Sequence, residues 1–323
     1  MKYPMLCNWV TMRKEDDKYF IYDHMCDLED EIGRDLYYFM KKLNGKNDPY
    51  KISNYSHDEV DKILKELYDA EMIRKSRLYK ERFGTFQFAL FFPHITKNNR
   101  RICFFLNMLL LVSWLPVFIS GMVSFVNSDI GITNFFVFIL GFFIGSAIGC
   151  LLHEVLGHGV ATLGAEGGKL YEIGVLMDNF FPGFYVFSDT DTIKNKFLRV
   201  QTHAAGLEIN YLLVGIFLIL TNAFTGVMKD LIFGMAFINL VTAFANSTLY
   251  GHLDGANIIG ELFNEWDFVK KRCRIAKSRR LRRKCIDNND YKTVVVSYIV
   301  YISRILLTIS FIIIAMKVLW NVI

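Results

Sequence analysis

Long apolar stretches are the strongest pattern in the chain, and they all lie after residue 100. They cover residues 102–126, 131–152, 205–224, 231–248 and 293–323. Each is close to or above the roughly 20 residues that a helix needs to cross about 30 Å of hydrocarbon. The pattern predicts a polytopic α-helical membrane protein with about five spans.

The residues before the first apolar stretch show shorter patterns, typical of a small α/β domain. Phe20-Ile21-Tyr22 is a β-prone run. The amphipathic stretch from Leu28 to Leu43 predicts a helix, and Asn44-Gly45 is a good terminator for it. A strand followed by a helix is therefore expected in this part of the chain.

A second helix and a hairpin are predicted to complete this region. Ser56 and Glu59 have the spacing of a capping box, in which each side chain bonds a backbone N–H near the other residue. Two strand-like runs, 72–79 and 85–92, follow this helix start. The order of elements predicts a winged-helix-like domain of residues 1–95, ahead of a membrane domain of residues 96–323.

Composition agrees with a membrane protein, and charge sets the expected topology. Of the 323 residues 53% are hydrophobic, which is too much to bury in one soluble core. Basic residues cluster beside the spans, at 97–101, 194–199 and 270–284. The positive-inside rule places these segments, and the N-terminus, in the cytoplasm. The 270–284 run is either a solvated loop face or a contact for anionic lipid.

The residues present disfavour two other classes of protein. The net charge is +5, but residues 28–70 mix acidic and basic side chains without a basic recognition helix, so no nucleic-acid partner is expected. The six cysteines are scattered without C-x-x-C spacing. They predict neither a disulfide framework nor a cysteine-based metal site.

Part of the N-terminal region resembles a known peptide-binding element. Leu36, the segment Leu43-Asn44-Gly45 and the helix Glu59–Leu64, which closes on Met72-Ile73, are similar to the PqqD-type leader-recognition element of ribosomal-peptide maturation enzymes. The resemblance implies that a leader peptide adds as an extra strand to an exposed sheet edge. A structural cap without a ligand is the alternative.

The sharpest chemical motif stands at the end of the second apolar stretch. The chain there contains His153-Glu154-Val155-Leu156-Gly157-His158. Ionisable groups inside a membrane are costly unless they face a cavity and have a partner, and a divalent metal is the obvious partner for these. A stray solvated cluster is the alternative interpretation.

The two histidines of this motif are one residue further apart than in the common H-E-x-x-H motif. Four residues turn a regular helix by about 40° and five by about 140°, so a regular helix would misplace His158. We therefore predict a one-residue π-type widening, which Gly157 tolerates. The motif is similar to the His-Glu-Leu-Leu-Gly-His zinc motif of the dipeptidyl peptidase III family.

A third metal ligand must come from elsewhere in the chain. Catalytic zinc takes three protein ligands and leaves a fourth position for water. The best candidate is Asp254, which follows the fourth apolar stretch and is expected at the same depth as His153. His203 and His252 lie on the same predicted side of the membrane, and each could replace or supplement Asp254. Structural, hydrogen-bonded histidines are the alternative for both.

Four segments together carry a family resemblance. They are the His153-Glu154 motif, residues 168–185, Ala205–Asn210 and Asn246–Asp254. This combination resembles the site-2 protease family, in particular the bacterial peptide zinc metalloproteases of peptide-maturation clusters. Leu207 and Leu249 stand where that family usually has proline.

The resemblance implies a set of residue roles and a location. His153, His158 and Asp254 would hold Zn²⁺, and Glu154 would be the general base. Asn210 would orient the substrate or stabilise the oxyanion. The substrate would be a peptide or membrane-associated protein, such as a ribosomally made peptide under maturation. The chain would be a multi-pass protein of the bacterial cytoplasmic membrane, cutting near the cytoplasmic leaflet.

A substrate for such an enzyme must be extended, because helical peptide bonds are sterically covered. The β-prone hairpin of residues 168–187 is suited to offer an edge to it. Three aspartates around the hairpin would tolerate a basic substrate segment: Asp178, Asp189 and Asp191. Two alternatives to a zinc endopeptidase are a catalytically silent homologue that binds and hands on a peptide, and a histidine-box di-iron oxidase. The oxidase needs more histidines than the chain offers.

Overall fold

The structure is a computed structural model, and it forms two compact units. It describes residues 3–7, 10–15, 17–23, 28–70, 72–74, 78–80, 86–91, 97–127, 131–178, 181–190, 193–251, 253–265 and 267–322. The first unit comprises Met1–Pro93 together with Tyr171–Pro182, and the second comprises His94–Leu170 and Gly183–Ile323. We describe each unit separately.

The described part of the first unit contains short strands at both ends and helices between them. In chain order these are β1 (Met5–Leu6), β2 (Val10–Glu15), β3 (Lys18–Asp23), β4 (Leu28–Ile32), α1 (Arg34–Lys41), α2 (Pro49–Ile52), α3 (His57–Asp69), β5 (Ile73–Arg74), β6 (Leu78–Lys80) and β7 (Phe86–Phe91). Strands β2, β3 and β4 form one antiparallel sheet, and β1 pairs with β5.

The core of the first unit is apolar and follows the periods of its elements. In β3 the buried Tyr19 is flanked by the more exposed Lys18 and Phe20, whereas the second half of the strand, from Ile21 to Asp23, is buried throughout. In α3 the buried Val60 and Leu67 are seven residues apart and share one face. The predicted capping box is confirmed: the Ser56 hydroxyl accepts from the Glu59 backbone N–H, and the Glu59 carboxylate accepts from the Ser56 N–H.

The predicted helix over Leu28–Leu43 is wrong in its first part. Residues Leu28–Ile32 form β4, which pairs with β3 from Asp23↔Leu28 to Tyr19↔Ile32. The helix begins only at Arg34, after Gly33 as its N-cap. Pairing with a neighbouring strand therefore overrides the local amphipathic pattern, a common outcome where a segment has no strong intrinsic preference.

The strand predicted for residues 72–79 is divided into two. Ile73 and Arg74 pair with β1, whereas Leu78–Lys80 pair with β7 in the register Leu78↔Phe88 to Lys80↔Phe86. The predicted hairpin is thus confirmed in its second half. Strand β7 in turn pairs with β8 (Lys169–Asp178), for example Phe88↔Val175. The chain then continues into β9 (Phe181–Asp189), and the sheet order is β6-β7-β8-β9.

A buried ion pair joins two distant parts of the chain inside the first unit. The guanidinium of Arg74 on β5 contacts the carboxylate of Glu172 on β8, 98 residues further along. The two side chains are 4% and 0% exposed. A pair this deeply buried is costly to separate, because either charge alone would be left in a low-dielectric interior.

The second unit is helical. Its helices are α4 (Lys97–Val126), α5 (Phe135–Leu152), α6 (Val160–Gly164), α7 (Lys196–Ala223), α8 (Gly226–Ser247), α9 (Asp254–Phe263), α10 (Phe268–Lys277), α11 (Arg279–Asp287) and α12 (Tyr291–Val322). Five stretches of the described chain are long and apolar enough to cross a membrane. This count agrees with the five predicted apolar stretches; the candidate spans begin at Asn99, Phe135, Lys196, Gly226 and Tyr291.

Glycines allow two pairs of these long helices to approach closely. Gly141, Gly145 and Gly149 recur every fourth residue on α5 and are buried. A Cβ added at Gly145 would lie 2.5 Å from the Met235 Cα atom of α8. Gly121 of α4 faces Gly215 of α7 in the same way, with 2.5 Å between an added Cβ and the facing Cα. Small residues at regular spacing let helix backbones pack closely in a membrane.

The α8 carboxylate of Asp230 closes one end of α5. It is buried and accepts from the Thr133 hydroxyl at 2.6 Å and from the Asn134 backbone N–H at 2.7 Å. The first N–H groups of a helix lack intrahelical partners, and a carboxylate also complements the helix dipole. This contact fixes the α5–α8 pair at the end remote from the histidine motif.

Candidate metal centre

A π-helical turn follows α5 and contains the whole histidine motif. It covers His153–Gly159 and passes directly into α6. In a π-helix the backbone bonds connect residues five apart, so residues 153 and 158 stack on one face. The predicted local widening at Gly157 is confirmed, and it corrects the angular misplacement that a regular helix would impose.

The widened turn brings the two imidazoles together. The Nε2 atoms of His153 and His158 are 3.2 Å apart, and their rings are nearly perpendicular, at 82°. At this distance the lone pairs of the two Nε2 atoms can bind the same cation. The motif thus supplies two ligands from a single helical turn.

Asp254 completes the group from the first residue of α9. Its Oδ1 lies 3.2 Å from Nε2 of His158, and its Oδ2 lies 3.2 Å from Nε2 of His153. Among the described residues, His153, His158 and Asp254 form the one cluster whose donor atoms all lie within 4.8 Å of one another. The prediction that Asp254 reaches the histidine pair is confirmed.

The spacing of the three donors fits a tetrahedral metal ion. Bonds of about 2.0–2.1 Å in a tetrahedron put ligand atoms about 3.3 Å apart, close to the 3.2 Å between the two Nε2 atoms and between each Nε2 and its nearer Asp254 oxygen. Asp254 is 8% exposed, and its Oδ2 is buried without a hydrogen-bond donor among the described residues. A buried carboxylate oxygen without a hydrogen-bond donor is suited to a cation.

The second nitrogen of each imidazole has a hydrogen-bond partner. Nδ1 of His153 contacts Oδ1 of Asn210, and Nδ1 of His158 donates to the backbone carbonyl of Thr202 at 2.6 Å. Both partners accept hydrogen bonds, so each imidazole carries its proton on Nδ1. Both Nε2 atoms are thereby left as lone-pair donors toward the site, the arrangement typical of metal-bound histidines.

Asn210 is itself fixed by a neighbour on α8. Its Nδ2 donates to Oδ1 of Asn239 at 3.2 Å, and Asn239 donates in turn to the carbonyls of Met235 at 2.9 Å and Gly145 at 3.2 Å. Asn210 is 0% exposed. Its amide is therefore engaged at both ends, with its oxygen directed at the ligand His153.

A glycine of α7 makes room for the imidazoles. A Cβ added at Gly206 would lie 2.6 Å from Nε2 of His158 and 2.7 Å from Nε2 of His153. Gly157 faces the same spot, because its added Cβ would lie 2.7 Å from the Gly206 Cα. The two backbones therefore touch, and any larger side chain at Gly206 would occupy the space between the ligands.

Glu154 lies beside the ligand cluster without being part of it. Its carboxylate accepts a hydrogen bond from the backbone N–H of Val186, on β9. Two residues earlier on the same strand, the Phe184 N–H points to Sγ of Cys150 at 3.3 Å. One edge of β9, in its Gly183–Asp189 part, thus faces the α5 end and the π-helical turn.

Other predicted residues fall outside this cluster or outside the described chain. His203 belongs to α7 and is not part of the described metal group. His252 and Asp191 lie outside the described residues, as do the side chains of Asp178 and Asp189. The sequence prediction missed Thr202 and Asn239, and it included Gly206 only as part of the Ala205–Asn210 segment, without a role beside the imidazoles. Asn239 carried a visible signal, as a lone amide within an apolar stretch.

The arrangement can bind a divalent cation through three protein atoms and place one carboxylate next to it. Comparisons of the chain with models of protein families, with curated proteins and with solved structures give no match. The chemistry of the site therefore has to be inferred from its own geometry.

Proposed function

We propose that this chain is a zinc metalloprotease of the site-2 protease type, which cleaves a peptide bond near the cytoplasmic leaflet of a bacterial membrane. The observation that carries the proposal is the convergence of His153, His158 and Asp254 next to Glu154. A group of two imidazoles and one carboxylate, with a second carboxylate next to it in the chain, is typical of sites for metal-assisted hydrolysis.

Zinc is the metal that this donor set favours. Imidazole nitrogens and a single carboxylate suit Zn²⁺ better than Mg²⁺ or Ca²⁺, which prefer all-oxygen sites with more ligands. Three protein donors in a tetrahedral spacing leave one position for water. When bound there, zinc supplies Lewis acidity that activates water and polarises a carbonyl.

The chain's own residues account for the remaining tasks. Glu154 takes a proton from water and later delivers it to the leaving amine, as a general base and then a general acid. Asn210 and the Thr202 carbonyl hold the imidazoles in the tautomer that presents Nε2. We assign Asn210 to this positioning role rather than to oxyanion stabilisation, because both ends of its amide are engaged.

The N–H groups along the edge of β9 are the reason for proposing that the substrate is an extended peptide. The N–H groups of Phe184 and Val186 are two residues apart and point to the same side, away from a strand partner and toward the motif. Their present acceptors are a thiol sulfur, which is a weak acceptor, and Glu154. An extended peptide adding along this edge would offer its carbonyls to both N–H groups and release Glu154 for chemistry.

The substrate class follows from these contacts and from the resemblances in the sequence. Recognition through backbone hydrogen bonds selects an extended segment rather than a particular side chain. We propose a ribosomally made peptide under maturation, whose leader segment is bound by residues 1–95. The expected location is multi-pass in the cytoplasmic membrane, with the N-terminus in the cytoplasm.

Replacing the general base tests the proposal. Glu154→Gln keeps the shape of the side chain but cannot take a proton, so cleavage should fall by roughly 10²–10⁴. Zinc content should stay unchanged, because Glu154 is not a ligand. The full chain in detergent would be incubated with an unfolded protein such as casein, and metal content would be measured in parallel.

A matched variant separates the base from the ligands. His153→Gln should lose both zinc and cleavage, whereas Glu154→Gln should lose cleavage alone. Unchanged cleavage by Glu154→Gln would refute the mechanism. A wild-type chain that holds zinc but cleaves no substrate, including peptides encoded by neighbouring genes, would favour the silent, peptide-handing homologue instead.

A further inference from the structure

A cavity in the helical unit lies apart from the metal ligands and has no role in the proposed cleavage. Its volume is about 610 Å³, and it is lined by residues of α10, of α12 and of the loop between α8 and α9. The loop contributes Leu249 and Gly251.

The lining of this cavity is strongly basic. Lys270, Arg274 and Lys277 come from α10 and are spaced four and three residues apart, so they share one helical face. Arg304 enters from α12. The lining contains no acidic side chain. The lining of the cavity is therefore positively charged.

The lining also contains apolar side chains, Leu249 and Val269. Arg304 belongs to α12, a helix that is long and apolar enough to cross a membrane. A cation within such a helix is expected to have an anionic or polar partner. A ligand that matches both parts of the lining has an anionic head for the four cations and an apolar tail for the apolar side chains.

We propose that this cavity binds the phosphate group of an anionic phospholipid. Arginine forks and lysine ammonium groups both bind phosphate oxygens with charge-assisted hydrogen bonds. The cavity is several times larger than a single phosphate ion, and its apolar side chains favour a glycerophospholipid over free phosphate. Basic pockets beside membrane helices recognise anionic headgroups by this chemistry.

The bound lipid would also stabilise the loop that carries Asp254. The Arg304 guanidinium stacks on the Tyr250 ring, with Cζ 3.4 Å from the ring centroid, and the Tyr250 hydroxyl bonds Thr308 and Arg304. Tyr250 lies between the cavity-lining Leu249 and Gly251, and its carbonyl accepts from the Leu253 N–H at 3.0 Å. Lipid in the cavity thus contacts the segment immediately before the third metal ligand.

A titration of the full chain in detergent tests the site without any assay of cleavage. Short-chain phosphatidylglycerol is added to the wild type and to Arg274→Gln/Lys277→Gln, and binding is followed by calorimetry. The double variant loses two phosphate-contacting charges, so its affinity should fall at least about thirtyfold. The exchange variant Arg274→Lys/Lys277→Arg keeps both charges and should bind within about threefold of wild type.

A control pair and two competing ligands complete the experiment. Arg280→Gln/Arg283→Gln removes two charges from the same basic run on α11, outside the cavity lining, and should weaken binding by about threefold or less because of screening. Short-chain phosphatidylcholine and inorganic phosphate should bind far more weakly than phosphatidylglycerol. Equal binding by either ligand, or an equal loss in both Gln pairs, would overturn the proposal. So would tight binding of an acidic peptide that the lipid does not displace.

Discussion

The two compact units distribute polar and apolar side chains in opposite ways. The first unit packs an apolar cluster, including Val10, Met40 and Val60, inside a charged exterior. The helical unit exposes large apolar side chains, such as Phe136 at 85% and Val112 at 72%. It buries polar ones instead, among them Asn210, Asn239 and Asp230. In an apolar solvent the interior has to supply close packing and hydrogen bonds rather than hydrophobicity.

Because of this difference, the two units should respond differently to substitutions of their buried residues. In the first unit an apolar position is interchangeable with another of similar size, and the buried ion pair is the exception. In the helical unit the glycines and the buried polar residues have specific partners. A substitution that breaks a polar or glycine contact should therefore have local chemical consequences there, whereas in the first unit it should act on stability.

The largest expected effect is the loss of bound zinc when a single methyl group is added at Gly206, next to the imidazoles of His153 and His158. Gly206→Ala should reduce bound zinc per chain at least about tenfold, since the added carbon would sit within 2.7 Å of both Nε2 atoms. Metal analysis of the purified chain measures the zinc bound per chain. Gly131→Ala, whose added carbon meets nothing within 4 Å, is the matched control and should keep its zinc. Full zinc occupancy in Gly206→Ala would contradict the site geometry.

The next effect should appear in the first unit as a loss of stability without loss of metal. Arg74→Met leaves the Glu172 carboxylate buried without its cation and should destabilise this unit by about 3–5 kcal/mol. Amide hydrogen exchange of the full chain, followed by mass spectrometry, would localise the effect to residues 1–93. The double variant Arg74→Met/Glu172→Leu should recover most of the protection. Equal protection in the single variant and the wild type would argue against the pair.

A smaller chemical effect is expected from removing the positioning amide. Asn210→Ala should weaken zinc affinity by about 10–100-fold, because His153 loses the acceptor that fixes its tautomer. Asn210→Asp keeps an acceptor oxygen and should recover part of the affinity. Competition with a metal-binding dye gives both values. An unchanged zinc affinity in Asn210→Ala would show that the Asn210 amide does not position His153.

The smallest expected effect is local and depends on pH. Ser56→Ala removes the α3 cap and should cost about 1 kcal/mol. The backbone N–H and hydroxyl of Ser56 hold the pKa of Glu59 below its ordinary value of 4.5. A lowered folded-state pKa means that the stabilisation is present above the ordinary value and is lost as the pH falls through the folded-state value. The protection factors of the α3 amides, which are corrected for the intrinsic pH dependence of exchange, should therefore fall on acidification below about pH 4.5. Glu59→Gln should abolish this pH dependence.

Several elements followed from local sequence alone. The five long apolar stretches, the capping box at Ser56 and the hairpin ending in β7 are each set by residues within one or two turns of one another. The π-helical turn belongs with them, since five-residue spacing of two ligands on one helix leaves few other solutions. Asp254 was predicted from a weaker argument, the shared depth of two helix ends.

Other features required contacts between distant residues. Strand β4 forms because β3 is available to pair with it, and the amphipathic pattern of Leu28–Leu43 does not indicate that partner. The division of residues 72–79 likewise depends on pairing of Ile73–Arg74 with β1. The partner of Arg74 lies 98 residues away. The backbone carbonyl of Thr202 has no side-chain signal at all, because every residue type carries the same oxygen.

The sequence by itself determined the apolar helices, the spacing of the histidine motif and the three side chains of the candidate metal group. Hydrophobic length and helical period are local properties, which composition and order express directly. Only the tertiary structure decided that Gly206 lies under both imidazoles, that Asn210 and Thr202 fix their tautomers, and that four cations surround one cavity. Those arrangements depend on which helix faces meet, and packing between segments far apart in the chain sets that choice.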